Sequence, residues 1–197
     1  MTVVVAAIAF LLGIARLAMF VALHLVASDY NPIEHAVSDY SVGKTRTLSS
    51  VMTWTSAAMW AFLAIAVGIG FPDWRDRTGI VICLSALALV FIVMPLLPTD
   101  LEGEPSTTIG KLHLLAAICW FALSYACMGN FVRLMHGGVI GTLLSILSWI
   151  ALVGLTALVT ALIIRPLRSR VFGISERVFL VSTSLFYVLV ALDIVLA

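Results

Sequence analysis

The sequence predicts an all-α fold, a polytopic membrane protein built as a six-transmembrane-helix bundle, and three observations predict it. Of the 197 residues, 62% are apolar and only 11% are charged, against about 45–50% and about 25% in soluble globular domains. The mean hydropathy is +1.17. Six apolar runs each have the length, about 20 residues, that a helix needs to cross a hydrocarbon core about 30 Å thick. This composition excludes a soluble enzyme, a disordered tail and a secreted disulfide scaffold. The 11 Lys and Arg against 10 Asp and Glu leave a net charge of +1, without the basic excess of a nucleic-acid binder.

The spans follow in order. The first covers 3–27. It has no basic leader and is longer than the apolar core of a signal peptide, so it is expected to be retained. The second, 48–71, stops at Phe71-Pro72-Asp73, and the third, 78–97, at Pro98-Thr99-Asp100. Proline has no N–H and restrains the residue before it, so neither helix continues. The fourth, 112–134, and the fifth, 139–164, are joined by the tight break His136-Gly137-Gly138, and the sixth covers 178–197. No run alternates with period two, and in lipid each segment must satisfy its own backbone, which leaves helices. Residues 1–197 then form a single transmembrane domain with both termini on one side. Gly13, Gly68, Gly70, Gly141 and Gly154 permit close helix contact. Cys83, Cys119 and Cys127 form no CxxC, lie in apolar runs and read as small hydrophobes rather than redox groups. Trp60, Trp120 and Tyr187 read as belt or packing residues.

The polar residues are unevenly placed. The face carrying the breaks 28–47, 98–111 and 165–177 (the first face) holds Lys44, Arg46, Lys111, Arg165, Arg168, Arg170 and Arg177, against Arg75, Arg77 and Arg133 on the second face. The positive-inside rule therefore places the first face in the cytoplasm. Arg16 and Asp193 lie inside spans one and six. A lone charge at mid-bilayer costs about 2.5–3.5 kcal/mol on insertion scales. Counted from residues 27 and 178, their depths are about 17 and about 22 Å at ~1.5 Å per residue. Helices one and six are thus expected to be neighbours, with Arg16 and Asp193 as an ion pair.

The first face also gathers the groups that could do chemistry. His113 opens span four, with Asp100 a short loop before it and Ser38 and Asp39 in the break after span one. A carboxylate on one imidazole nitrogen fixes the tautomer and raises basicity. Asp100 is therefore expected to orient His113 as a base, with Ser38 as nucleophile or Asp39 as a further carboxylate; these four are the candidate catalytic residues. Arg177, Glu176, Thr108 and His24 are the candidate ligand-binding residues. The competing reading is a polar clasp, in which Asp39, Asp100 and Thr107 or Thr108 cap helices and Arg177 bridges to Asp39 or Asp100. No metal and no cofactor is assigned. Haem would need a second histidine pair or a CxxCH, and retinal a lysine within a helix.

Several motifs carry a family likeness. Ser38-Asp39 follows a proline in the first break; Pro98-Thr99-Asp100 precedes Thr107-Thr108-Ile109-Gly110-Lys111-Leu112-His113; Gly173-Ile174-Ser175-Glu176-Arg177 opens span six. In these the chain resembles the uncharacterised six-span membrane family known as domain of unknown function 998, over about residues 5–195. The resemblance implies a six-span fold with one polar face and supplies no reaction. It also implies that the first face lies outside, opposite to the charge count. The Ser-Asp pair is distantly similar to membrane proteins of the Frag and damage-regulated autophagy modulator type, some of which are linked to lipid remodelling. The expected function is a polar pocket on the first face that binds a lipid-like or amphipathic ligand. The alternatives are a membrane-embedded lipid hydrolase or acyl-transfer enzyme, and a structural subunit of a membrane complex. The expected setting is the cell membrane, with the lipid bilayer as partner, no nucleic acid, and no protein partner assigned.

Overall fold

Apolar runs that must satisfy their own backbone become long helices, and the computed structural model contains six of them among its described residues, 1–26, 30–101 and 105–197 (backbone alone at 165 and 169). They are α1 (Thr2–Leu25), α2 (Arg46–Gly70), α3 (Arg77–Val93), α4 (Thr108–Leu134), α5 (Gly138–Ile163) and α6 (Arg165–Leu196). No strand occurs among the described residues. All six are long and apolar enough to cross a membrane, and the chain is an integral multi-pass membrane protein. Residues 27–29 and 102–104, which include Ser28, Asp29, Glu102 and Glu104, lie outside the described residues.

The bundle closes as a ring. α1 packs on α2, α2 on α3, and α6 lies between α5 and α1, while α4 completes the circuit between α3 and α5. Close approach occurs where a side chain is missing. A Cβ on Gly154 would lie 2.9 Å from the Phe179 backbone nitrogen, and one on Gly13 2.6 Å from Val188. α6 is the most buried span. It presents Ser182, Thr183 and Ser184 inward, the small hydroxyl residues that let membrane helices approach. The centre is aromatic. Trp60 meets Tyr187 at 4.5 Å between ring centroids, and Phe91 meets Trp120 at 5.2 Å. The Tyr187 hydroxyl donates to the Ser124 carbonyl at 2.5 Å. Trp54 and Trp149 instead face outward.

Three expectations need correction, and one contact is added. The polar stretch 165–177 is not a loop: α5 ends at Ile163 and α6 begins at Arg165, with Pro166 in its first turn, where a missing N–H breaks nothing. α3 ends at Val93, before Pro98, because Pro95 converts residues 94–96 to a 3-10 turn. Cys83 of α3 and Cys127 of α4 are adjacent, with sulfurs 2.7 Å apart as free thiols. Finally, α1 and α6 are neighbours as expected, but Arg16 donates to Ser184 and lies over the Phe20 ring at 5.8 Å. Asp193 is nine residues further along α6, about 14 Å at ~1.5 Å per residue. The count set residue 178 level with residue 27, whereas the Arg177–His24 contact sets residue 177 level with residue 24 and so brings Arg16 to Ser184. The α4–α5 junction is as the sequence implied: Gly137 and Gly138 turn the chain with φ of 101° and 62°, where side-chain-bearing residues are strained.

Candidate functional site

The first face is held together by α6. Gly173 donates its N–H to the Ile33 carbonyl at 3.0 Å. A Cβ at this position would lie 2.5, 2.6 and 2.8 Å from the carbonyl oxygens of Pro32, His35 and Ile33, so only glycine lets the loop after α1 lie on the helix. One turn on, Glu176 accepts from the Val37 N–H at 2.6 Å. Arg177 donates to the His35 carbonyl at 2.8 Å and, through Nε, to His24 Nε2 at 2.8 Å. His24 donates from Nδ1 to the Phe20 carbonyl at 2.8 Å, so both ring nitrogens are used. The Arg177 guanidinium also lies over Tyr40 at 5.9 Å. The Gly-x-x-Glu-Arg motif is therefore a clasp on the loop. The expected bridge from Arg177 to Asp39 or Asp100 is replaced by these carbonyl and imidazole contacts, because the loop backbone reaches the guanidinium first.

Asp100 has a comparable task at the entry to α4. Its two carboxylate oxygens accept from the Thr107 hydroxyl at 2.7 Å and the Thr107 N–H at 2.8 Å. Thr107 in turn caps α4 by accepting from the Gly110 N–H at 3.0 Å. A Cβ on Gly110 would collide with the Asp100 carboxylate. These hydrogen bonds from Thr107, hydroxyl first and N–H second, hold the Asp100 carboxyl below the usual range, with smaller help from Lys111 and His113. A lowered folded-state pKa contributes stability that is complete above the ordinary value, about 3.9 for Asp, and is lost as pH falls through the folded value. Amide protection across residues 107–111, taken relative to the intrinsic exchange rate at each pH, should therefore hold above about pH 4 and fall below it. Asp100→Asn should remove that dependence. A wild-type profile identical to Asp100→Asn would sink the assignment.

His113 does not pair with Asp100. It is buried, and its Nδ1 lies 2.6 Å from the Leu97 carbonyl, an acceptor freed where α3 has ended. A carbonyl only accepts, so Nδ1 carries the proton and Nε2 keeps the lone pair. A backbone oxygen thus does the orienting work expected of a carboxylate.

These elements enclose a cavity of about 250 Å³. Its mouth is polar, lined by Ser38, Asp39, Ser41, Asp100, His113 and Glu176. Asp39 is buried and accepts from the Ala36 N–H at 3.1 Å. The Ser41 hydroxyl is buried with no hydrogen-bond partner among the described residues. Deeper in the bundle Phe91, Ala117, Phe121, Leu158 and Leu180 supply apolar lining, α2 adds the hydroxyls of Ser49, Ser50 and Thr53, and Arg16 lies at the inner end. Of the eight candidates, Ser38, Asp39, Asp100, His113 and Glu176 are brought together here. His24 and Arg177 belong to the clasp, and Thr108 is exposed at the start of α4 and does not line the cavity. Sequence reasoning missed two participants. One is the Leu97 carbonyl, which no side-chain pattern signals. The other is Arg16, whose signal was present as an isolated charge inside an apolar run. Among the described residues, no group of three or more His, Cys, Asp and Glu side chains is placed to hold a metal ion.

Compared with known proteins, the chain matches over residues 3–193 the family model described as protein of unknown function (DUF998). No curated protein and no solved structure matches it.

Proposed function

The chain belongs to the DUF998 family of membrane proteins, and from that premise we propose that it binds a lipid-like or amphipathic ligand in the first-face cavity. The observation that carries this reading is a cavity inside a membrane bundle whose lining joins charged and hydroxyl groups to a larger apolar surface from Phe91, Ala117, Phe121, Leu158 and Leu180. At about 250 Å³ it is below the ~300–1,000 Å³ of pockets that enclose drug-sized ligands. A small amphiphile fits, or one end of a larger lipid. The cell membrane is the setting proposed for it. Mass spectrometry of the purified protein should find a bound amphiphile enriched over the surrounding membrane. Ala117→Trp, which fills the cavity from α4, should remove it while the protein still elutes as a folded species. A lipid profile that matches bulk membrane in both proteins would overturn the reading.

A second reading, a lipid hydrolase or acyl-transfer enzyme, is supported by one observation. His113 has its tautomer set by Leu97 and lines the same cavity as Ser38 and Asp39. It then serves as the base, with Ser38 or Asp39 as partner and the Leu97 carbonyl, not Asp100, as orienter. Hydrolysis of a fluorogenic short-chain ester should fall at least a hundredfold in His113→Ala. Equal rates would remove this reading and leave the binding one intact.

A further inference from the structure

At the inner end of the cavity, Arg16, Trp60 and Thr183 converge on a second void of about 10 Å³. Trp60 Nε1 and Thr183 Oγ1 are buried and have no hydrogen-bond partner among the described residues. Arg16 is only 5% exposed. Its partners are the Ser184 hydroxyl and the Phe20 ring, and no carboxylate among the described residues lies within ion-pair distance of it.

These groups share one chemical character. A guanidinium and an indole N–H can only donate, and a threonine hydroxyl can turn to donate. A donor set that includes a buried, uncompensated cation is complementary to an anion, since a buried charge is costly unless paired. A void of this size takes one water-sized atom, such as one oxygen of a carboxylate. The second oxygen has room in the larger cavity, which also reaches Arg16. From there the apolar wall runs past Phe91 and Ala117 to Leu114 and Ile118 of α4 and Leu162 of α5. These last three are exposed on the outer surface of the bundle.

We propose that the cavity's ligand is a monoanionic amphiphile. Its carboxylate-type head pairs with Arg16 and accepts from Trp60 Nε1–H and the Thr183 hydroxyl, and its chain runs along α4 and α5 toward the lipid. This rests on the amphiphile-binding reading above and adds the charge and the direction of the ligand. A single cation at the head site selects one negative charge, and planar guanidinium geometry suits a carboxylate.

The test uses the full chain in a neutral detergent at pH 8, with decanoate and decanol as probes, read by calorimetric titration and thermal midpoint. Wild type should bind decanoate and be stabilised by it, with decanol at least tenfold weaker. Arg16→Gln should lose at least tenfold in decanoate affinity, Arg16→Lys less, and Trp60→Phe about three- to tenfold. Without probe, Arg16→Gln should melt no lower than wild type, because it removes a bare charge. A purely structural Arg16 would predict a lower midpoint, and that result overturns the proposal. Equal decanoate affinity in wild type and Arg16→Gln also overturns it, as does sodium chloride alone giving the whole stabilisation and blocking decanoate. Decanol binding as tightly as decanoate would overturn the anionic head while leaving amphiphile binding in place. Binding of neither probe would remove both.

Discussion

Gly173→Val should be the most damaging single change on the first face. The three atoms a Cβ would meet are backbone carbonyl oxygens of Pro32, Ile33 and His35, none of which can swing aside as a side-chain tip would. The loop must lift from α6. When it lifts, the Gly173–Ile33, Glu176–Val37 and Arg177–His35 hydrogen bonds are strained together. Overpacking costs about 1–3 kcal/mol, and each lost hydrogen bond adds about 0.5–1.5 kcal/mol. A loss of at least ~3 kcal/mol is expected, with protease cleavage appearing between residues 30 and 45. Glu176 also lines the cavity, so the amphiphile binding proposed for it should fail in the same variant. A thermal midpoint in detergent within 2 °C of wild type would show that the loop does not depend on this contact.

Phe179→Ala should be the largest loss in the bundle interior. Phe179 is fully buried, its ring 5.1 Å from Phe121 and 5.8 Å from Trp120, and its backbone is the surface that Gly154 approaches. Removing a buried phenylalanine costs about 3–5 kcal/mol, the amount depending on how far the site collapses. Here collapse is limited, because the two rings that lean on Phe179 also line the first-face cavity. Unfolding by titration with a denaturing detergent should show the loss, and a change below about 1 kcal/mol would contradict the packing described. The cavity should widen in the same variant, and the amphiphile proposed to bind there should be released faster.

Why the spans could be read and their joints could not is clear from particular residues. Hydrocarbon thickness and backbone satisfaction act on every residue of a span, so α2, α4 and α5 end within a few residues of the sequence limits. The stretch 165–177 failed because hydropathy reports what enters lipid and not what is helical. Its arginines mark water, while its backbone remains α-helix. Ser38, Asp39, Asp100, His113 and Glu176 could be assigned to one mouth, since the topology returns their segments to one face. Their partners could not, because the decisive acceptors are main-chain oxygens, those of Leu97 and of His35. Every residue carries such an oxygen, so composition gives no hint of which one is left unused. Gly173 carried a motif signal without its reason, which lies about 140 residues earlier in the chain.

Arg16 also has to wait for its partner during synthesis. Its hydroxyl partner Ser184 is 168 residues downstream. At the ~5–20 residues per second of translation, α1 waits on the order of ten seconds or more before α6 emerges. Throughout that interval the nascent protein holds a cation in lipid, tolerated only because the rest of α1 is so apolar. α6, made after the other five helices, is the one that covers Arg16, so a chain that stops before α6 leaves that charge without its hydroxyl partner.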